Sequence, residues 1–300
     1  MSSASVHIPV MVAEVLTSLR AAEGGDFLDC TLGGGGHTRA LLEANPANRV
    51  TAIDRDLRAI ERARGALSTY ASRLTILHGS FSTLDDLDLG QRFDGMLADL
   101  GLSTDQLQES RGFSFGDIAA LDMRMDEEEG QSAAEFLNTI SEHELFVVLR
   151  QGGVGNEAKA IARTIVKHRP LTSAKELADV VAKVPSRKKD VHPATVVFQA
   201  LRMAVNRELQ QIEDLMGVAP RLVKKSARFS VITFHSLEDR AVTATMRAWE
   251  GADFSALWPG AKRPEVLGKA LSRKPISASE QEILENPSAR SARLRVFQFE

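Results

Sequence analysis

An aspartate followed by a run of glycines is the feature of this sequence that most directly indicates chemistry. Asp29 ends an apolar, strand-like segment, and residues 33–36 are all glycine. Glycine permits positive φ angles and lets a ligand approach the backbone closely. A second strand-like segment ends in Asp54, at about the 20-residue spacing where an acid meets a nucleotide ribose in doubly wound folds. The pattern indicates a ligand containing adenosine; the alternative is a merely flexible glycine loop.

The charge of Asp29 discriminates between adenosine ligands. A dinucleotide fingerprint, G-x-G-x-x-G, needs a third glycine, but Thr38 stands there, and a carboxylate beside the loop would repel a pyrophosphate. S-adenosylmethionine carries an ammonium and a sulfonium and no phosphate. Asp29 near its amino acid end would attract these positive charges, and Asp54 would accept hydrogen bonds from its ribose hydroxyls. We therefore predict this cofactor, and a nicotinamide-dependent oxidoreductase is the disfavoured alternative.

A third carboxylate, Asp99, ends another strand-like segment at residues 95–100. In open parallel sheets the ligand lies outside the carboxyl ends of the strands, which places Asp99 opposite the glycine loop. There it could accept a hydrogen bond from an exocyclic amine and orient the nitrogen lone pair toward a methyl donor. The alternative is an Asx-type turn at a strand end.

The elements that must position these residues follow an α/β pattern that is interrupted once. Strand-like segments near residue 27 and at 50–53, 74–77 and 95–100 alternate with helical segments, which predicts a parallel sheet. From about 132 to 216 the pattern is helical, with amphipathic stretches at 158–166, 174–184 and 196–215. Strands return at 229–234 and 294–299. We predict a sheet domain in two parts, 1–110 and 217–300, with a helical insertion at 111–216.

Composition narrows the class of protein further. The chain has 300 residues, which is longer than a typical single domain, and 43% of them are hydrophobic, enough to form a buried core. One cysteine excludes an internal disulfide framework, and no segment has the run of about 18 apolar residues that crosses a membrane. Without a secretory signal, a cytoplasmic protein with no membrane partner is expected. The net charge of −3 argues against a uniformly basic nucleic-acid binder, and no His/Cys spacing predicts a metal site.

Several motifs, taken in order, resemble the ribosomal RNA small subunit methyltransferase H family, also called the MraW family. The resemblance covers nearly the whole chain. It rests on HIPVM at 7–11, DCTLGGGGHT at 29–38, DRD at 54–56, DLGLS at 99–103, RGFSF at 111–115, LDMRMD at 121–126, FHSLEDR at 234–240 and NPSARS from 286.

The resemblance implies a class I S-adenosylmethionine-dependent methyltransferase, a Rossmann-like sheet with an inserted all-helical domain that helps to bind RNA. The implied reaction moves a methyl group to N4 of a cytidine in the decoding (P-site) region of 16S rRNA in the small ribosomal subunit. Position by position, the resemblance assigns the cofactor contacts to Gly35, Gly36 and His37, the ribose to Asp54, the adenine surroundings to Phe81, and the edge near the methyl donor to Asp99 and Gln106, with Asp29 and Gly33 as additional candidates.

RNA contact requires an accessible base and local positive charge. A cytosine amine is reached only when the base is unpaired or splayed out, and Phe113 and Phe115 are candidates for stacking on it, the alternative being ordinary core aromatics. Phosphate contacts are expected from arginine and lysine, and a homodimer is among the expected states. The candidates are Arg290 and Arg293, with Arg187, Lys188, Lys189, Lys224, Lys225 and Arg295.

The sequence departs from the family pattern on the presumed substrate side, at Asp105, at Ala119-Ala120 and at residues 154–157. A non-catalytic RNA-binding assembly factor and an enzyme acting on DNA cytosine therefore stay open as alternatives.

Near the fifth strand, Ser236 with Asp239 predicts a variant capping box that opens a helix. The Asp and Arg residues around Met123 predict a stabilised loop.

Overall fold

The computed structural model describes residues 8–87, 89–101, 111–114, 120–185, 193–251 and 265–300. The chain divides into two compact units, the first formed by Met1–Ser103 with Gln210–Glu300 and the second by Thr104–Leu209. The predicted boundaries, after residues 110 and 216, lie somewhat later along the chain. None of the helices in these described ranges is long and apolar enough to span a bilayer.

The first unit contains the sheet and the helices that cover it. Its strands are β1 (Asp26–Asp29), β2 (Arg49–Asp54), β3 (Leu74–His78), β4 (Phe93–Asp99), β5 (Val223–Thr233), β6 (Gly268–Ala270), β7 (Ile276–Ser277) and β8 (Arg293–Phe299). Its helices are α1 (Val12–Leu19), α2 (Gly36–Ala44), α3 (Leu57–Ala66), α10 (Ser236–Trp249) and α11 (Glu280–Glu285). The second unit is helical, with α4 (Ala133–Thr139), α5 (Glu142–Gln151), α6 (Ala158–Lys167), α7 (Ala174–Ala182) and α8 (Pro193–Val205). One further helix, α9 (Glu208–Leu222), crosses the boundary between the units.

The strands form one sheet in the order β3-β2-β1-β4-β5-β8-β6, with β7 also paired to β8. Pairs from β3 to β5 are parallel, and β8 runs antiparallel to β5, β6 and β7. The predicted parallel sheet that resumes after a helical insertion is confirmed, and with it the Rossmann-like α/β fold class. The strand order reverses between β1 and β4, and the carboxyl ends of the strands at such a reversal are where doubly wound sheets bind ligands.

The sheet strands are apolar because helices cover both faces of a doubly wound sheet. Phe27, Leu28 and Phe229 are at most 1% exposed, and most of β4 is buried. Trp249, at the end of α10, packs against β8 with its ring 5.0 Å from that of Phe297. The short strands β6 and β7 escape sequence analysis because two or three residues carry no periodic pattern.

The start of α10 differs from the prediction. The sequence predicts that Ser236 caps this helix together with Asp239, but the cap is His235. The Glu238 carboxylate accepts hydrogen bonds from the backbone N–H groups of Phe234 and His235, at 2.8 and 3.2 Å. The reason is that His235 is extended, with φ −138° and ψ 164°, so Ser236 is already the first helical residue. Asp239 is thereby available to the Arg295 guanidinium, which donates to its two carboxylate oxygens at 2.8 and 2.9 Å.

Three helices of the second unit begin at capping boxes. A serine precedes each of α4, α5 and α7, and a glutamate three residues later returns the hydrogen bond. The amphipathic stretch at 196–215 is two helices rather than one, since Arg207 has φ 49° and the Asn206 side chain bonds the backbone of Met123 and Met125. A side-chain amide that hydrogen-bonds to the backbone of another segment competes with helical structure, so the first helix ends near Asn206.

The loop around Met123 is stabilised as predicted. The carboxylate of Asp122 accepts hydrogen bonds from the backbone N–H, Nε and Nη2 of Arg124, at 3.0, 2.8 and 2.8 Å. Burial works to raise the pKa of Asp122, but these bonds and the arginine charge outweigh it and lower that pKa. Met123 is fully buried with φ 60°.

The buried pair formed by Asp239 and Arg295 gives a test of the first unit's stability. Its side chains are only 14% and 12% exposed, so Asp239→Asn weakens two charged hydrogen bonds out of reach of water. We expect the free energy of unfolding to fall by about 2 to 3 kcal/mol, measured by urea denaturation. The matched control is Asp179→Asn in the exposed pair with Lys175, where a change within about 0.5 kcal/mol is expected. Equal losses in the two variants would contradict the prediction.

Candidate functional site

Three carboxylates end three adjacent strands of the first unit. Asp29, Asp54 and Asp99 are the last residues of β1, β2 and β4. In the register of the sheet, Asp29 lies opposite Ala52 and Leu97, so all three side chains reach the same edge. The structure therefore brings together the acids that the sequence pattern predicted to meet.

Asp29 is completely buried. Its Oδ2 accepts a hydrogen bond from the Thr38 hydroxyl at 2.6 Å, and its Oδ1 accepts one from the backbone N–H of Thr31 at 3.1 Å. Burial raises the pKa of Asp29 to about 6, although these bonds and nearby His37 act in the opposite direction. A cationic ligand beside Asp29 would therefore stabilise the ionised form of this carboxyl group.

Asp54 shapes the glycine loop as well as facing the site. Its Oδ2 accepts from the backbone N–H of Gly33 at 2.7 Å, and its Oδ1 from that of Asp56 at 2.9 Å. Gly33 has φ 49°, in the region that glycine tolerates best. Burial raises the pKa of Asp54. Each carboxylate oxygen keeps a second lone pair, so ribose hydroxyls remain acceptable partners.

The loop excludes side chains at the start of α2. Gly35 precedes this helix with φ 79°, and a Cβ there would lie 2.8 Å from Cδ1 of Leu67. A Cβ on Gly36 would lie 2.6 Å from Cγ of Pro9. The packing of neighbouring segments thus requires a bare backbone at both positions, which are two of the predicted cofactor contacts.

His37 lies in the first turn of α2 and is 6% exposed. Its Nε2 is 2.8 Å from the carbonyl oxygen of Val10, and its Nδ1 is 3.7 Å from Oδ2 of Asp99. Burial lowers the pKa of His37, against the opposite effects of Asp29, the Val10 carbonyl and Glu282. The structure therefore places this residue between the N-terminal segment and the strand-end carboxylates.

Asp99 is 12% exposed at the edge of the sheet. Its backbone N–H donates to the Thr31 hydroxyl at 2.7 Å, and its Oδ1 accepts from the backbone N–H of Gly101 at 3.3 Å. The second bond is the Asx-type turn considered from the sequence. Oδ2 of Asp99 lies on the side of His37.

The remaining predicted contacts are distributed over both units. Phe81 is half-buried in a short 3₁₀ turn after β3, and its backbone N–H donates to Oε1 of Gln211 at 3.1 Å. Phe113 belongs to the second unit and is 8% exposed, with the Arg111 guanidinium 5.7 Å from the centre of its ring. Gln106 and Phe115 lie outside the described residues, as do Asp105, Ala119, Arg187, Lys188 and Lys189.

The basic candidates of the first unit separate into two groups. Arg290, Arg293 and Lys225 are exposed. Arg293 begins β8 opposite Thr233 of β5, and β5 is the neighbour of β4, which carries Asp99. Arg295 and Lys224 are engaged in ion pairs. Their partners are Asp239 for the arginine, and Asp26 and Asp94 for the lysine.

A contact between the two ends of the chain escaped sequence reasoning. In α11, Oε1 of Glu282 accepts from the backbone N–H of Met11 at 2.5 Å. The amide of Asn286 donates to the carbonyl oxygen of Ile8 at 3.1 Å. Ile8 and Met11 belong to the HIPVM motif and Asn286 begins the NPSARS motif, but nothing local in either motif indicates the other.

The buried Asp29 predicts a pH-dependent stability. Above about pH 6 the folded chain buries an ionised carboxylate that the unfolded chain exposes to water, so ionisation lowers the free energy of unfolding. Asp29→Asn removes that charge. We expect the variant to be more stable by up to about 3 kcal/mol at neutral pH, with the gain shrinking as the pH falls through 6 toward the ordinary aspartate range.

Chemical denaturation at several pH values measures this difference. Asp86→Asn, at an exposed carboxylate of the same unit, is the control and should show no such trend. A variant that is less stable than the natural chain above pH 6, or a gain that does not depend on pH, would refute the prediction.

Comparison with known proteins places these residues in a family context. The family described as the MraW methylase family matches residues 4–300. A relative from Cyanothece sp., named "Ribosomal RNA small subunit methyltransferase H", is 46% identical over 295 residues, which cover 98% of this chain and 94% of the relative.

Two further relatives carry the same name. One, from Thermomicrobium roseum, is 44% identical over 306 residues, covering 97% of this chain and 93% of the relative. The other, from Nitratiruptor sp., is 41% identical over 300 residues, covering 98% of both.

Proposed function

We propose that this chain, which belongs to the MraW methylase family, is an S-adenosylmethionine-dependent methyltransferase of small-subunit ribosomal RNA. The finer proposal is that it methylates N4 of a specific cytidine in the decoding (P-site) region of 16S rRNA. One observation carries it: three strand-end carboxylates surround a loop without side chains, a site that suits an adenosine ligand with positive charge and no phosphate.

The residues of the site fit this cofactor. Asp29, which is fully buried, would face the ammonium of the cofactor's amino acid end. Asp54 would accept hydrogen bonds from the ribose hydroxyls, and Phe81 would lie near the adenine. A pyrophosphate would instead add negative charge beside three carboxylates. The same electrostatics disfavours the nicotinamide-dependent alternative.

The role of this chain in the reaction is to hold and orient the amine. S-adenosylmethionine, when bound, supplies a methyl carbon made electrophilic by its sulfonium. The lone pair of a cytosine amine is delocalised into the ring, so the amine needs alignment more than it needs a strong base. Asp99 is placed to accept a hydrogen bond from the amine and so to direct its lone pair. Burial around the site strengthens that interaction by excluding water.

RNA contacts are proposed for the exposed arginines at the end of the sheet. Arg293 lies at the carboxyl edge of the sheet, and Arg290 precedes it in the chain. Arg295 and Lys224 are poorer candidates, since their ion pairs would have to break. The helical unit is proposed to add RNA contacts. Stacking by Phe113 and Phe115, a homodimer and the absence of a metal stay predictions.

Mass spectrometry of modified nucleosides tests the reaction. Purified protein and S-adenosylmethionine are incubated with small ribosomal subunits that lack this methylation, and the digested RNA is analysed. We expect N4-methylcytidine at one position. Cofactor binding without any methylated nucleoside would favour an assembly factor, and methylation of DNA cytosine instead would favour the other alternative enzyme.

Asp99→Asn tests the proposed role of this carboxylate in the same assay. We expect turnover to fall by about a hundredfold or more, with cofactor affinity, measured by calorimetry, changed far less. Asp94→Asn is the matched control, because Asp94 lies on the same strand at the opposite edge of the sheet. Equal losses of turnover and affinity would make Asp99 a cofactor ligand only.

Arg293→Gln tests the RNA surface. Neutralising one phosphate contact should weaken binding to a 16S rRNA fragment and lower the slope of log K against log salt by about 1. Arg49→Gln is the control, since Arg49 is exposed at the amino edge of the sheet. Equal effects of the two substitutions, or binding that is insensitive to salt, would exclude this surface.

A further inference from the structure

We propose that His37 and Asp99 act as one proton-holding pair, in which Nδ1 of His37 supports the Asp99 carboxylate as it receives the proton that the substrate amine loses. The pair rests on the proposed function, because it gives the predicted reaction a destination for its proton. His37 is in this view a positioning residue that acts through Asp99, in addition to its place among the predicted cofactor contacts.

The hydrogen bond to Val10 determines which nitrogen of His37 can exchange a proton. A carbonyl oxygen only accepts hydrogen bonds, so Nε2, 2.8 Å away, must carry a hydrogen and donate it. In the neutral ring Nδ1 is then the unprotonated nitrogen. Its lone pair faces Oδ2 of Asp99 at 3.7 Å. A proton bound to Oδ2 would therefore have an acceptor in Nδ1.

The scaffold holds this orientation from both chain ends. Met11, next to Val10, is tied to Glu282 of α11, and Ile8 is tied to Asn286. Pro9 contacts the position where a side chain on Gly36 would be. The carbonyl of Val10 is therefore fixed by packing and hydrogen bonds independent of the reaction, and the ring of His37 is fixed with it.

The groups around His37 leave the pair ready to accept a proton at neutral pH. Three carboxylates face the ring from three elements: Asp29 from β1, Asp99 from β4 and Glu282 from α11. Burial outweighs the attraction of the acids and lowers the pKa of His37. In the neutral ring the nitrogen on the Asp99 side is Nδ1, because Nε2 donates to the Val10 carbonyl, and Oδ2 of Asp99 lies 3.7 Å from it.

The proton transfer balances without any further reactant. As the amine gains its methyl group it becomes positively charged; one N–H bond then breaks, its electron pair stays on nitrogen, and the proton bonds to Oδ2 of Asp99. The new O–H donates to Nδ1 of His37, so the protonated carboxyl is not left without a partner. A distance of 3.7 Å is longer than a hydrogen bond, as catalytic contacts often are before the ligand binds.

Nuclear magnetic resonance of the cofactor-free protein tests the pair without relying on activity. With ¹⁵N-labelled histidine, His37 should show the Nε2–H tautomer at neutral pH and take up its second proton at Nδ1 on acidification. Asp99→Asn should lower the pKa of that uptake by about one unit or more, because it removes the adjacent negative charge. An Nδ1–H tautomer, or a pKa that does not respond to Asp99→Asn, would overturn the proposal.

Two substitutions separate proton holding from a structural role. His37→Gln offers an amide N–H to the Val10 carbonyl but has no acceptor at the position of Nδ1. His37→Asn offers an acceptor near Nδ1 but does not reach Val10. We expect the glutamine variant to keep its melting temperature, to react about tenfold to a hundredfold more slowly in a single turnover at saturating cofactor, and to shift the acidic limb of its pH profile to lower pH.

The asparagine variant should instead have a lower melting temperature and a single-turnover rate closer to that of the natural chain. If both variants lose stability and keep the natural pH profile, His37 is structural and the proposal fails. If the natural protein methylates no cytidine at all, the proposed function fails instead, while the tautomer measurement still decides whether the pair exists.

Discussion

Buried negative charge at the carboxyl ends of β1, β2 and β4 is the constraint on which the rest of the site depends. A carboxylate taken out of water loses several kcal/mol of solvation unless hydrogen bonds or opposite charge replace it. Each of the three acids has found donors: Asp29 the Thr38 hydroxyl, Asp54 the N–H of Gly33, and Asp99 the N–H of Gly101. The glycine loop has its shape because its backbone supplies part of this hydrogen bonding.

The same constraint explains the contacts between the chain termini. A loop without side chains has little packing of its own, so its geometry has to be imposed from outside. The N-terminal segment does this by placing Pro9 against Gly36 and a carbonyl on His37, and α11 holds that segment through Glu282. Segments 271 residues apart in the chain thus determine the environment of one imidazole.

Sequence analysis identified the parts of the site that local pattern determines. An aspartate after an apolar run predicts a strand end, and parallel strands bring their carboxyl ends together, so the meeting of Asp29, Asp54 and Asp99 followed from the spacing alone. The cap of α10 was misplaced by one residue, because Ser236 is the better capping residue by type and the extended backbone of His235 has no sequence signal. The pairing of Arg295 with Asp239 and of Glu282 with Met11 depends on the tertiary fold, which no window of sequence contains.

The differing surroundings of the three acids suit them to different tasks. Carboxyl groups of the same chemistry take different roles when their environments hold their protons differently. Asp29 is fully buried and held by a hydroxyl, which makes its charge costly and leaves it suited to a permanent cation. Asp54 is held on both oxygens by backbone N–H groups, a rigid arrangement suited to hydroxyl donors. Asp99 is the acid at the edge with an imidazole nitrogen beside its second oxygen, so it can gain a proton without becoming a buried group that lacks a partner. In the proposed reaction, charge recognition and proton handling thus fall to different carboxylates of the same sheet edge, because each carboxylate has a different neighbour.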